Sequence, residues 1–288
     1  MIVETPMRTV MGIQNIQPLE YRQAKDLIPR IQGDSPMNKP QYPSVQVRNL
    51  TLQTGSPKIC VSISDRFQED ILASCRNIVR EGADLVEWRV DCYRDFNNDF
   101  MVEDTLDELR AILGDTPLIL TLRTVDEGGK ADVMQWDYIR IYREAARTGN
   151  VDIFDIEYNI MVKLPHDFIS DIKRHGKIIV SKHYFEYTPS FDDLVDDIIR
   201  LQVAGGDIAK LAVMPEDETD VARLVSASKE ILAHHRSTPI ITISMGLLGV
   251  ETRVKCNETG SCLTFAAVGL SSAPGQLPIS ELRELLEG

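Results

Sequence analysis

No uncharged apolar run in this chain approaches the roughly 18 residues that a membrane-spanning helix needs, so no membrane span or membrane partner is expected. The N-terminal MIVETPMRTVMGIQNIQPLEYRQ lacks the basic start, apolar centre and small-residue cleavage site of a secretory leader, and its acids argue against a transit peptide. The cysteines Cys60, Cys75, Cys92, Cys256 and Cys262 are an odd set with no C-x-x-C pair and no histidine at metal-ligand spacing. A disulfide framework is therefore not expected, and the thiols read as reduced, as in a soluble cytoplasmic protein. There is no H-E-x-x-H motif or cluster of aspartates, and the first strand-like run, KICVSISDRF, contains no glycine for a nucleotide loop. No metal and no cofactor are expected. Excess positive charge is missing as well: a formal net charge of −13 repels nucleic acid and anionic membrane surfaces. An anionic substrate would need a pocket with its own arginines.

What the chain does have is a core-forming composition, 43% hydrophobic and 26% charged, without low-complexity tracts. From residue 57 onward, short β-branched runs alternate with amphipathic stretches. The runs are KICVSIS, ADLVEWRVD, PLILTLRT, VDIFDIEYN, KIIVSKHYF, GGDIAKLAV, TPIITISMG and SCLTFAAVG, with helical patterns such as FQEDILASCRNIVREG and WDYIRIYREAARTG between most of them. Eight such units demand a parallel sheet and suggest closure into an α/β fold of the (β/α)₈, or TIM, barrel type, with an open doubly wound sheet as the runner-up. The expected organisation is a barrel over residues 57–288 and an N-terminal extension over 1–56. The extension is punctuated by proline, with one short helix expected at LEYRQAKDLI, and its expected role is structural or interactive.

Alternate strand residues point to opposite faces. In ADLVEWRVD, Val86, Trp88 and Val90 should pack on helices, which turns Glu87, Arg89 and Asp91 toward the barrel axis. By the same rule Thr121 and Arg123 go inward from PLILTLRT, Ser181 and His183 from KIIVSKHYF, and Ile208, Lys210 and Ala212 share a face in DIAKLAV, while Lys182 points away. Singly, each charged residue reads best as an edge lysine, a structural ion pair or a packing histidine. Five ionisable groups (Glu87, Arg89, Arg123, His183 and Lys210) near the C-terminal ends of their strands read instead as a site. An apolar setting and nearby arginines would depress the pKa of Lys210 and free its amine to attack a carbonyl. The resulting iminium is an electron sink, and His183 is placed to remove the acidified proton. The other histidines, His166, His175, His234 and His235, read as surface residues.

From about residue 57 to 287 the sequence resembles the type I 3-dehydroquinate dehydratases. The resemblance rests on EWRVD (87–91), LRTVDEGG (122–129), SKHYF (181–185), AKLAVMP (209–215), ITISMG followed by Arg253, and SSAPGQ (271–276). It implies a (β/α)₈ enzyme of the shikimate or quinate pathway, usually a homodimer, that dehydrates 3-dehydroquinate to 3-dehydroshikimate through a Schiff base. Lys210 matches the imine-forming lysine, His183 the general acid/base and Glu127 the carboxylate that orients it. Arg253 matches the arginine that clamps the substrate carboxylate, and Glu87, Arg89, Arg123, Ser272 and Gln276 match substrate contacts. Ser62 faces the same way on the first strand. SSAPGQ is similar to a closing loop. Two other readings are a Schiff-base aldolase and a non-catalytic sensor of quinate metabolism. Against the first, no phosphate-binding glycine loop follows the seventh strand; against the second, every catalytic position is retained and no basic DNA-binding domain is attached.

Overall fold

Runs rich in isoleucine, valine and leucine cannot stay half-wet, and in the computed structural model, which describes residues 42–269 and 275–287, they form one parallel sheet covered by helices. A short antiparallel hairpin comes first, β1 (Ser44–Val47) and β2 (Leu50–Gln53). The sheet strands are β3 (Lys58–Ile63), β4 (Leu85–Arg89), β5 (Leu118–Thr121), β6 (Ile153–Glu157), β7 (Lys177–Tyr184), β8 (Ile208–Val213), β9 (Ile240–Ser244) and β10 (Leu263–Ala266). Their order is β10-β3-β4-β5-β6-β7-β8-β9. A parallel bridge from Ile240 to Ser261, with the Cys262 N–H donating to the Ile240 carbonyl at 2.9 Å, joins the two edges. The fold is the expected (β/α)₈ barrel.

Helices α1 (Gln68–Arg80), α2 (Asp99–Leu113), α3 (Gln135–Arg147), α4 (Tyr158–Met161), α5 (His166–Ile172), α6 (Phe191–Val203), α7 (Glu218–His234), α8 (Val250–Val254), α9 (Cys256–Thr259) and α10 (Ile279–Glu287) follow the strands. Their starts are written in the sequence. The Ser190 hydroxyl caps α6 by accepting from the Asp193 N–H, and the Asp217 carboxylate caps α7 by accepting from the N–H groups of Thr219 and Asp220. Caps of this kind stabilise a helix by about 1 kcal/mol each. The buried stripe of α6, Leu194, Val195, Ile198, Ile199 and Leu201, faces the strands at helical spacing.

The strands sort their residues as alternation requires. Val86, Trp88, Val90, Leu118, Leu120, Leu122, Leu211 and Val213 belong to the core between sheet and helices. Leu85, Ile119, Ile153, Ile179, Ile208 and Ile241 form a second core on the axis. The hairpin lies within the N-terminal extension, where the sequence singled out no strand. Val47 and Leu52 are buried in that axial core and plug the N-terminal end of the barrel. Its turn carries no glycine signal; Arg48 takes the left-handed conformation instead, with φ 49°. The Arg48 side chain donates to Asp152 at 2.6 Å, and Asp152 also holds Arg110, offsetting the roughly 1 kcal/mol or more that a left-handed non-glycine residue costs. The helix expected at LEYRQAKDLI lies outside the described residues. His175 and His234 are exposed as expected, but His235 is buried at the end of α7, because the chain turns there toward β9. Among the described residues, no helix is long and apolar enough to cross a membrane, and no group of three or more His, Cys, Asp or Glu side chains is arranged to hold a metal ion.

Candidate active site

Above the axial core, at the C-terminal end of the barrel, a cavity of about 250 Å³ opens among Ser62, Glu87, Arg89, Arg123, His183, Lys210, Arg253 and Gln276. Eight of the ten residues expected at the site therefore line one space. Glu127 stands directly behind His183, and Ser272 lies outside the described residues. Apolar side chains complete the wall on the side of β9 and β10, with Ile243, Met245 and Phe265 facing the charged arc.

Lys210 is 5% exposed, on the central part of β8. The company of its amine differs from expectation: the charged groups that meet it are carboxylates, not arginines. Its Nζ lies 2.9 Å from Asp155 Oδ2 and 3.8 Å from Glu87 Oε1, and 4.8 Å above the centre of the Phe265 ring. Glu87 is held on both oxygens, by the Thr121 hydroxyl at 2.8 Å and the Ser62 hydroxyl at 2.5 Å. Burial alone would raise the Asp155 carboxyl, but Arg123, Lys210 and His183 with the Ser181 hydrogen bond hold it well below the usual carboxylate range.

His183 and Glu127 meet because the LRTVDEGG segment doubles back. After β5 the chain makes a single 3₁₀ turn, Val125–Glu127, and Gly128 follows with φ 76°. A side chain on Gly128 would strike the Phe185 ring, and one on Gly129 would lie 2.1 Å from the Arg123 carbonyl oxygen. Only glycines allow this turn to close. It delivers Glu127 Oε2 to 2.9 Å from His183 Nδ1, while Asn159 donates to Glu127 Oε1 at 3.2 Å. Burial pushes the Glu127 carboxyl up to about 8, aided by Glu157 and Asp155 and opposed by Arg123. Burial, Arg123 and Lys210 pull His183 well below the ordinary imidazole value. His183 is thus a neutral imidazole at neutral pH, the form able to exchange a proton with a substrate.

The arginines divide by partner. Arg123 reaches the cavity wall, but its guanidinium is gripped from behind by Asp155 at 2.8 Å, Glu157 at 3.1 Å and the Ser181 hydroxyl at 3.0 Å. Arg89 is fixed by two 2.8 Å hydrogen bonds to Asp91, which also accepts the backbone N–H groups of Arg123 and Lys130. Arg253, 3% exposed on α8, is the cation on the opposite wall, and burial pulls its guanidinium down to about 10. It stays charged at neutral pH and faces a polar cavity, an arrangement suited to a carboxylate. Lys182 turns away from His183 to Asp197, at 2.8 Å, as its position on the strand implies.

Asp155, Glu157 and Asn159 complete the arrangement and were not singled out from the sequence. Asp155 and Glu157 follow from the period-two rule applied to VDIFDIEYN, which turns Ile153, Asp155 and Glu157 inward. Asn159 had no such signal, since it follows the strand on α4 and meets Glu127 only through the fold. A nucleophilic amine, a carboxylate-backed imidazole and a buried guanidinium around one cavity can form an imine with a carbonyl compound that carries a carboxylate and move a proton next to the imine carbon.

Known proteins resemble this chain over most of its length. The family model for type I 3-dehydroquinase matches residues 59–287. The 3-dehydroquinate dehydratase of Klebsiella pneumoniae strain 342 is 38% identical over 246 residues, covering 85% of this chain and 98% of that protein. The crystal structure of the Clostridium difficile type I enzyme with covalently modified comenic acid superposes with a TM-score of 0.79 at 36% identity, covering 85% of this chain and 97% of that one. The Enterococcus faecalis 3-dehydroquinate dehydratase structure gives 0.78 at 37%, covering 84% and 98%. With the family model spanning residues 59–287 and these relatives covering most of the chain at 36–38% identity, the chain belongs to the type I 3-dehydroquinase family.

Proposed function

We propose that this protein is a 3-dehydroquinate dehydratase, a hydro-lyase of the shikimate or quinate pathway, that works through a Schiff base on Lys210, with residues 57–288 as the catalytic unit. The carrying observation is the shared cavity: the Lys210 amine and the His183 imidazole, the latter backed by Glu127 at 2.9 Å, open on the same space opposite Arg253. The Lys210 nitrogen adds to the substrate ketone, and loss of the former carbonyl oxygen as water leaves an iminium. His183 takes the proton from the adjacent carbon, the electron pair moves into the new double bond, and the hydroxyl one carbon further leaves as water with the proton returned by His183. Water then cleaves the imine, restoring the lysine and releasing 3-dehydroshikimate.

Arg253 pairs with the substrate carboxylate, which keeps the ring in register with the amine. Arg89, Arg123, Glu87, Ser62, Ser272 and Gln276 are assigned to the hydroxyls and ring. A homodimer in the cytoplasm is part of the same proposal, carried over from the family. The iminium serves as the electron sink, so the mechanism calls for no cofactor. Intact-mass spectrometry after incubation with 3-dehydroquinate and sodium borohydride, followed by peptide mapping, tests the reading. A reduced adduct on Lys210 is expected; bound ligand without an adduct would point to a sensor or to a different carbonyl substrate.

A further inference from the structure

Asp155 is the carboxylate nearest the reactive amine, and nothing in the chemistry above uses it. Its side chain is wholly buried and both oxygens are assigned. Oδ1 accepts from Arg123 at 2.8 Å and from the Ser181 hydroxyl at 2.6 Å, whereas Oδ2 is left to Lys210 at 2.9 Å. The backbone beneath is pinned too, because the Tyr142 hydroxyl donates to the Asp155 carbonyl. Such a carboxylate cannot swing to follow a moving partner; the partner must align to it. The second carboxylate near the amine, Glu87, is 3.8 Å away and committed to Thr121 and Ser62.

The net charge of the covalent step explains why a fixed anion suits this place. An ammonium and a ketone give an iminium and one water: two of the three ammonium protons leave on the former carbonyl oxygen, and one stays on nitrogen. The positive charge on nitrogen is the same at the start and at the end. We propose that Asp155 is a positioning residue for Lys210, a rigid counter-ion that receives an N–H hydrogen bond from the resting ammonium and again from the iminium, and so fixes the direction of the nitrogen and the plane of the imine within the cavity. It makes and breaks no covalent bond. Without its charge the iminium would face the Arg123 guanidinium with one anion fewer between two cations, in a site too dry to screen them.

The inference rests on the Schiff-base reading, and the two fail separately. The test is a time course of borohydride-trapped adduct with 3-dehydroquinate, read by intact mass, for wild type, Asp155→Asn and Ser181→Ala, with kcat and KM for each. Asp155→Asn keeps the shape and an acceptor but removes the charge; its adduct should form roughly 100-fold more slowly, with kcat falling in step and KM within a few-fold, because Arg253 still binds the carboxylate. Ser181→Ala leaves the charge but frees one side of the carboxylate, and should slow the adduct about fivefold. Wild-type adduct kinetics in folded Asp155→Asn would overturn the proposal, as would a loss confined to KM. Should that variant fail to fold by circular dichroism, Ser181→Ala decides: slower adduct at unchanged KM supports the role, and an unchanged rate rejects it. Absence of an adduct in wild type would instead reject the Schiff base itself.

Discussion

The two ends of the barrel interior are built from the same strands and could hardly differ more. At the closed end the axis is filled by Cys60, Leu85, Ile119, Ile153, Ile179 and Ile208, with Val47 and Leu52 as the plug. Two residues further along those strands stand Ser62, Glu87, Thr121, Asp155, Ser181 and Lys210. The register carries the pattern across: Cys60 pairs with Leu85 and Ser62 with Glu87, Ile119 with Ile153 and Thr121 with Asp155, Ile179 with Ile208 and Ser181 with Lys210. One step of about 7 Å along each strand takes the interior from a dry apolar layer to a layer of charges and the hydroxyls that hold them. The apolar layer pays for order that the charged layer could not supply alone, since buried ion pairs recover little more than their own desolvation.

If this division holds, damage at the two ends should register in different measurements. The largest effect belongs to the charged end. Lys210→Ala should abolish the trapped adduct and lower turnover by at least about 10⁴-fold, the scale seen when a catalytic nucleophile is removed. His183→Ala should lose nearly all elimination while some imine still forms, since the two residues serve different steps. Steady-state kinetics beside adduct mass would separate them, and turnover near wild type in either variant would break the assignment. At the dry end, Leu52→Ala removes a fully buried side chain from the plug. It should cost about 2–5 kcal/mol of stability by denaturant unfolding, with kcat/KM of the folded protein unchanged; a matching loss of kcat/KM would show that the two layers are coupled.

The smallest effect sharpens the comparison by pH. As pH falls through about 8, a growing fraction of Glu127 carries its proton; in that fraction His183 Nδ1 accepts from it and Nε2 keeps its hydrogen, so the share of enzyme with a free base declines. Above that pH the carboxylate accepts the Nδ1–H and the Nε2 lone pair is free. The kcat/KM for 3-dehydroquinate should therefore rise with pH through this region. Glu127→Gln should displace or erase that limb while Leu52→Ala leaves it in place, and an unaltered limb in Glu127→Gln would remove Glu127 from the proton path.

Strand alternation made much of this readable in one dimension. EWRVD and DIAKLAV show their inward charges because apolar neighbours mark the other face, and the same rule applied to VDIFDIEYN reaches Asp155. The hairpin was harder to see: SVQVRNLTLQ turns on Arg48 and Asn49 rather than on a glycine, and the partner that holds Arg48, Asp152, is about a hundred residues away. Asn159 was out of reach for the same kind of reason, since its contact with Glu127 depends on the 3₁₀ turn after β5 meeting α4 above the sheet. Local periodicity tells which way a side chain points; only closure of the barrel tells what it meets.

Strand β6 behaves like a reading frame. Asp152, just before it, grips the hairpin turn, and Asp155 and Glu157 grip the amine and Arg123 at the other end. Removing or adding one residue between them would send Asp155 and Glu157 out among the helices and bring Phe154 and Ile156 into the pocket. Substitutions here can be graded, but a change of length cannot. Over evolutionary time the β6 segment should drift in identity at its outward positions while holding its length, leaving insertions and deletions to the loops that join the strands.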